Sequence, residues 1–181
     1  MGDSRGVGAA AIYYLNAWRV SPWEFTVWLQ HSATGQFMQN SLWPFPVVET
    51  IHIIGIVVLV GSVTILDLRL LGLMLMREPV SALTRRIMPW AWAGFSIQIV
   101  SGFLLFATEP EKLYTSIPFR LKMLMIALVG VNALLFHGLV YRDVKSWDSA
   151  ADTPLGAKVS GGFSILLWLG IITAGRWIAF Y

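Results

Sequence analysis

From Pro46 to Gly72 the chain reads PVVETIHIIGIVVLVGSVTILDLRLLG, a run whose ionisable side chains are Glu49, His52, Asp67 and Arg69 alone. About 20 apolar residues in a helix span the roughly 30 Å of hydrocarbon in a bilayer. A segment crossing lipid must also satisfy its backbone groups within itself, which leaves the helix as the single-segment solution. Three more runs reach this length, and the sequence predicts spans near Pro46–Leu68, Ile87–Ala107, Phe119–Tyr141 and Ala157–Phe180. The linkers REPVSALTRR, TEPEKLYTSIP and RDVKSWDSAADTPLG are polar, contain proline or several charges, and are too short to be domains. Only 13% of the residues are charged, against about 25% in soluble domains. The predicted fold is an all-α membrane protein. Residues 44–181 form a four-transmembrane-helix bundle, and residues 1–43 form an N-terminal segment with an interfacial amphipathic helix.

That interfacial helix is placed near Pro22–Met38. Ser21, Pro22 and Glu24 read as an N-cap, a proline at the first helical position and an acidic first turn. Phe25, Trp28, Leu29 and Ser32 share one side, while Gln30, Thr34 and Gln39 keep the segment too polar to span. Tryptophan is typical of the membrane–water boundary. The first twenty residues lack a long apolar core and a small-residue cleavage site, so no removable signal peptide is expected. Without cysteine, disulfides, thiolate metal sites and iron–sulfur clusters are excluded. A net charge of +3 sits at helix ends and in loops, so nucleic acid is not an expected partner. The loops after the first and third spans hold Arg77, Arg85, Arg86, Arg142, Lys145 and Lys158. The other side holds Arg5, Arg19 and Lys112. The positive-inside rule then puts both termini on the periplasmic side of a bacterial inner membrane.

Ionisable groups inside spans are costly, by about 2.5–3.5 kcal/mol or more, and each is a site hypothesis. At 1.5 Å per residue, His52 lies ~9 Å below the outer surface. Lys122 opens the third span and Arg176 closes the fourth at a similar level, with Glu49 one turn from His52 and His31 of the surface helix above. The stripe Trp90, Gly94, Gln98 and Ser101 supplies the polar face of the second span. Lys122, Asn132 and His137 share a sector of the third. These stripes are expected to converge on an outward-facing polar cavity. At the inner end, Asp67 and Arg69 are expected to make ion-pair or cap contacts with the Arg142–Asp143 boundary. Blander readings stand beside each: Arg120, Arg176 and Lys122 as snorkelling cations, Asn132 as a helix-to-helix contact, His137 as an interfacial residue.

The strings SLWPFPVVETIHIIG, DLRLLG, MPWAWAGFSIQIVSGFLLFA and FRLKMLMIALVGVNALLFH resemble a family of uncharacterised four-helix bacterial membrane proteins, over all four spans. More distantly, the layout is similar to copper-resistance-D-like proteins and HemJ-type protoporphyrinogen oxidases. Those too have an early His in the first span, a Pro and Gly in the second and a Lys opening the third. The HemJ likeness implies haem b at His52, accompanied by Lys122.

The sequence therefore carries three functional readings. The first is a haem b protein of electron transfer or redox chemistry. His52 is the ligand, Glu49 orients the ring, Gln98 lines the site, and Lys122 and Arg176 meet the propionates. Gly55 and Gly94 either leave room for the macrocycle or serve close helix packing. His52 and His137 lie about 15 Å apart along the membrane normal, so they cannot ligate one iron. A second ligand would come from His31 or a Met, and His137 could hold only a second, inner site. The second reading is a structural or assembly subunit of a larger membrane complex, with small residues such as Gly161 and Gly170 in helix contacts and homo-oligomers allowed. The third is a small metal-handling permease with Glu49 and His52 at its entry. Besides the lipid bilayer, other membrane subunits or a periplasmic redox partner are the expected partners.

Overall fold

The computed structural model describes residues 21–150 and 152–180. Two short helices, α1 (Pro22–His31) and α2 (Ala33–Asn40), precede the long α3 (Pro44–Leu70). The helix α4 (Val80–Thr108), the single-turn α5 (Pro110–Thr115), α6 (Ile117–Leu135) and α7 (Leu155–Trp177) follow. Beyond Leu135, α6 runs on through a π-helical turn (Phe136–Val140) and a 3-10 turn (Tyr141–Ser146). Four segments are long and apolar enough to cross a membrane: Pro44–Leu70, Val80–Thr108, Ile117–Ser146 and Leu155–Phe180. Each extends beyond the sequence-predicted limits. The second starts earlier because VSALTRR, although polar, is held as a helix by capping from a distant loop.

The predicted interfacial helix is two helices. Ser21 caps the first as expected: its hydroxyl accepts from Glu24 N–H at 3.1 Å, and the Glu24 carboxylate accepts from Ser21 N–H at 2.8 Å. Ser32 then breaks the run. Its backbone turns extended (φ −70°, ψ 160°), and its hydroxyl donates to Leu29 O and accepts from Gly35 N–H. One serine thus ends α1 and caps α2. Leu29 and Met38 are buried, and α2 closes on α4 at Gly35, where a Cβ would stand 3.2 Å from Ala107 O. Trp23, Phe25, Trp28 and Phe37 remain exposed, the placement expected of an interfacial segment. Together α1 and α2 cap the end of the bundle that holds His52.

In the bundle, α3 packs against α4 on one side and α7 on the other, and α6 packs on α7. Glycines set these approaches. A Cβ on Gly94 would stand 2.6 Å from Leu59 N, one on Gly55 2.6 Å from Ile97 Cγ2, and one on Gly161 3.0 Å from Asp67 O. Gly55 and Gly94 therefore serve close helix packing, the second of the two roles their sequence positions allowed. The helices α4 and α6 meet through the stacked rings of Phe106 and Phe119, 5.3 Å apart.

At the other end, Leu66, Leu70, Val80, Leu83, Phe136, Val144, Trp147 and Ala157 form the apolar core. Pro79, which precedes α4, offers no side-chain cap. Asp148 replaces it from the loop between α6 and α7. Its carboxylate accepts from Ser81 N–H and Ser81 Oγ, both at 2.7 Å, and its carbonyl accepts from Val80 N–H at 3.0 Å. Burial alone would push the Asp148 carboxyl up. The two Ser81 hydrogen bonds and the charges of Arg69 and Arg85 outweigh it and hold this group below the usual carboxylate range.

Candidate functional site around His52

His52 lies on the face of α3 that meets α4, and its ring is half-buried. Its Nδ1 is 2.8 Å from Ser101 Oγ, and a Cβ on Gly102 would stand 3.4 Å from its Cε1. Ser101 is 3% exposed, and its hydroxyl lies 2.5 Å from Ile97 O. A hydroxyl has one hydrogen. With that hydrogen on the Ile97 carbonyl, Ser101 Oγ can only accept from His52, which puts a proton on Nδ1 and, in the neutral ring, leaves the lone pair on Nε2. Gln98 fixes the backbone of the same turn by donating Nε2–H to His52 O at 2.6 Å.

This corrects the role expected of Glu49. Its carboxylate is exposed and forms no hydrogen bond or salt bridge among the described residues. Three residues apart, Glu49 and His52 are about 60° apart round the helix. That offset carries Glu49 clear of the packed face while His52 turns into it. Ser101 is the group that orients the ring.

Lys122 of α6 also comes to this site. It runs along Gly175 of α7, where a Cβ would lie 3.6 Å from Nζ, and its charge acts on the His52 ring. Gln98 and Ser101 face α3 as the stripe predicted, whereas Trp90, the last member of that stripe, is 65% exposed. The remaining candidates stand apart. Arg176 is exposed over the Phe180 ring at 5.8 Å, and Arg120 lies over Tyr114 at 5.6 Å while bonding Tyr114 O. His31 is exposed on α1. His137 is exposed and its Nδ1 contacts Ala133 O at 2.9 Å. Among the described residues no group of three His, Asp or Glu gathers as a metal site. The convergence is thus narrower than the sequence suggested: His52, Ser101, Gln98 and Lys122.

At the other end of the bundle, Asp67 and Arg69 turn away from the Arg142–Asp143 boundary. Arg69 is fully buried and donates Nε–H to Glu78 O at 3.0 Å and an Nη2 hydrogen to Ala150 O at 3.2 Å. It ties the α3–α4 loop to the α6–α7 loop. Thr153 adds a second tie by donating to Leu70 O. Asp67 faces α7 instead, beside Ser164. Arg5 and Arg19, used to orient the chain, lie outside the described residues.

The donor set at His52 is one imidazole whose Nδ1 is tied to Ser101, with Lys122 as the cation of the same site; these are the residues that would hold a metal-centred cofactor. The closely packed α3–α4 interface at Gly55 and Gly94 leaves no room for a further group between those two helices.

Residues 45–181 match a family described as a family of unknown function, DUF6644. The match covers more than half of the chain and all four spans, so the chain belongs to that family. No curated protein and no solved structure matches it.

Proposed function

We propose that this member of the DUF6644 family is an integral membrane redox protein that takes a b-type haem on His52. The observation that carries the reading is the state of that ring: Nδ1 held by Ser101, Nε2 unused. Metal-ligating histidines are characteristically held this way by a partner on the second nitrogen. Lys122, which runs along Gly175 of α7, supplies a positive charge at the same end of the bundle, suited to a propionate whose burial would otherwise be costly. Bound there, haem would supply one-electron chemistry within the bilayer. His31 and His137 are both exposed, and this reading gives neither a ligand role at His52. The protein purified from cells supplied with haem precursors is expected to show a Soret band. His52→Ala should remove it and His137→Ala should keep most of it. A native protein without the band overturns the reading.

The second reading is a cofactor-free structural or assembly subunit. One observation favours it: α6 leaves Leu121, Leu124, Leu128, Val131 and Leu135 exposed along its length, a face that a neighbouring membrane subunit or a second copy could cover as well as lipid. It takes precedence if the Soret test fails.

The charge distribution supports a bacterial inner-membrane location with the Asp67 end in the cytoplasm and the His52 end in the periplasm. Arg77, Arg85, Arg86, Arg142 and Lys145 are all exposed at the Asp67 end. Because the chain has no cysteine, Ser149→Cys and Thr115→Cys are clean reporters. In sealed cells an impermeant thiol reagent should label position 115 and not 149; the reverse pattern inverts the topology.

A further inference from the structure

The buried carboxyl of Asp67 has no part in the His52 site. It lies three residues before the end of α3, about 5 Å along the helix, and is 5% exposed. Ser164 of α7, also 5% exposed, is the polar group beside it. Oδ2 of Asp67 has no protein hydrogen-bond partner. Gly161 lets α7 pack closely here, since a Cβ on it would stand 3.0 Å from Asp67 O.

Among the described residues no cation pairs with this carboxyl. The salt bridges among the described residues are Lys112–Glu109 and Lys158–Asp152. Arg69, two residues on, faces the loops and bonds Glu78 O and Ala150 O. The other helices bring no titratable partner here. On α4, Thr84 donates to Val80 O, and Arg85 and Arg86 are exposed. On α6, Asn132 is bonded to Ser160, and His137 is exposed. A carboxylate enclosed without counter-charge is strongly disfavoured, and the usual outcome is that such a group takes a proton. Ionisable groups inside membrane spans commonly mark ion or proton sites.

We propose that Asp67 is a proton-binding site of the bundle interior, with the uncharged carboxylic acid, hydrogen-bonded by Ser164, as its resting form. The proton comes from hydronium at the near end of the bundle and is held on the carboxyl, which leaves no net charge at that depth. The site is independent of haem at His52.

The test is the infrared spectrum of the purified protein at neutral pH, in water and in heavy water. The chain has ten Asp and Glu. The expected result is one protonated-carboxyl C=O band, equivalent to one group per chain, that shifts on deuteration and disappears in Asp67→Asn. That amide should leave the fold intact, because it is close in shape to the neutral acid. Ser164→Ala provides a second arm: losing its hydrogen bond should move the band without abolishing it. Absence of the band in the wild-type protein, its persistence in Asp67→Asn, or a band unmoved in Ser164→Ala overturns the proposal.

Discussion

His52 of α3 and Ser101 of α4, 49 positions apart in the chain, meet at 2.8 Å, with the serine hydroxyl also 2.5 Å from Ile97 O. The contact does two things. It joins two helices beside the close approach of Gly55 to Ile97, and it selects which ring nitrogen keeps its proton. Ser101→Ala should release that selection. Nitrogen NMR of the wild-type protein is expected to show the Nδ1-protonated tautomer, and the variant a mixture. Haem affinity should fall about 10- to 100-fold, as it does when the outer partner of a ligating histidine is lost, while Ser101→Thr keeps the hydroxyl and most of the affinity. An Nε2-protonated ring in the wild-type protein would refute the assignment whether or not haem binds.

The glycines predict opposite effects from one substitution. A methyl group on Gly94 would stand 2.6 Å from the Leu59 backbone, whereas nothing lies within 4 Å of the same atom on Gly130. Gly94→Ala should destabilise the bundle by about 1–3 kcal/mol, the usual cost of overpacking. Gly130→Ala, in an open helical position, should stabilise by up to about 1 kcal/mol through backbone entropy. Thermal unfolding in one detergent reads both. Equal shifts would mean that the α3–α4 approach is looser than these distances.

Arg69 makes a third case. Removing its side chain leaves the carbonyls of Glu78 and Ala150 without their donors. A fully buried group left unsatisfied costs about 1–3 kcal/mol and these two bonds are part-buried, so Arg69→Ala should lose about 2–4 kcal/mol. The loops at 72–79 and 147–153 should become sensitive to protease before the helices do. Arg69→Lys should rescue little, because a single ammonium cannot reproduce the planar fork that reaches both carbonyls. Wild-type loop protection in Arg69→Ala would show that the loops are held by other contacts.

The four spans were legible because their information is local: twenty apolar residues and a backbone that must satisfy itself. The α1 cap was legible for the same reason, since Ser21, Pro22 and Glu24 are adjacent. Ser32 could have been read in the same way, as a second cap inside HSATGQ, but it also fits the helical spacing of Phe25, Trp28 and Leu29, which concealed it. Glu49 misled because nearness in sequence resembles nearness in space. The partner that counts, Ser101, already lay on the recognised Gly94–Gln98–Ser101 stripe, yet nothing in one sequence says which polar residue of that stripe reaches which residue of α3. The partners of Arg69 were beyond reach for a stronger reason. They are backbone carbonyls, one of them 81 positions away, and a carbonyl leaves no mark in the sequence.

Asp148 gives a prediction about pH. Folding sets its carboxylate against Ser81 N–H and Ser81 Oγ, so it titrates below its ordinary value of 3.8. As pH falls, the unfolded chain takes up this proton before the folded one does. While the unfolded state binds more protons, stability falls with falling pH. The contribution of the charged cap is therefore complete above 3.8, where the carboxyl is ionised in both states. It is lost as pH drops from there through the lower folded value. Asp148→Asn keeps an acceptor for Ser81 N–H and removes the charge at the start of α4, where a negative group is favourable. The variant should thus melt below the wild-type protein at neutral pH, with a gap that stays constant down to mildly acidic conditions and narrows only in stronger acid. Melting curves of the two proteins across that range make the comparison. A gap that widens on acidification would reverse the sign and show that Asp148 is not the cap of α4.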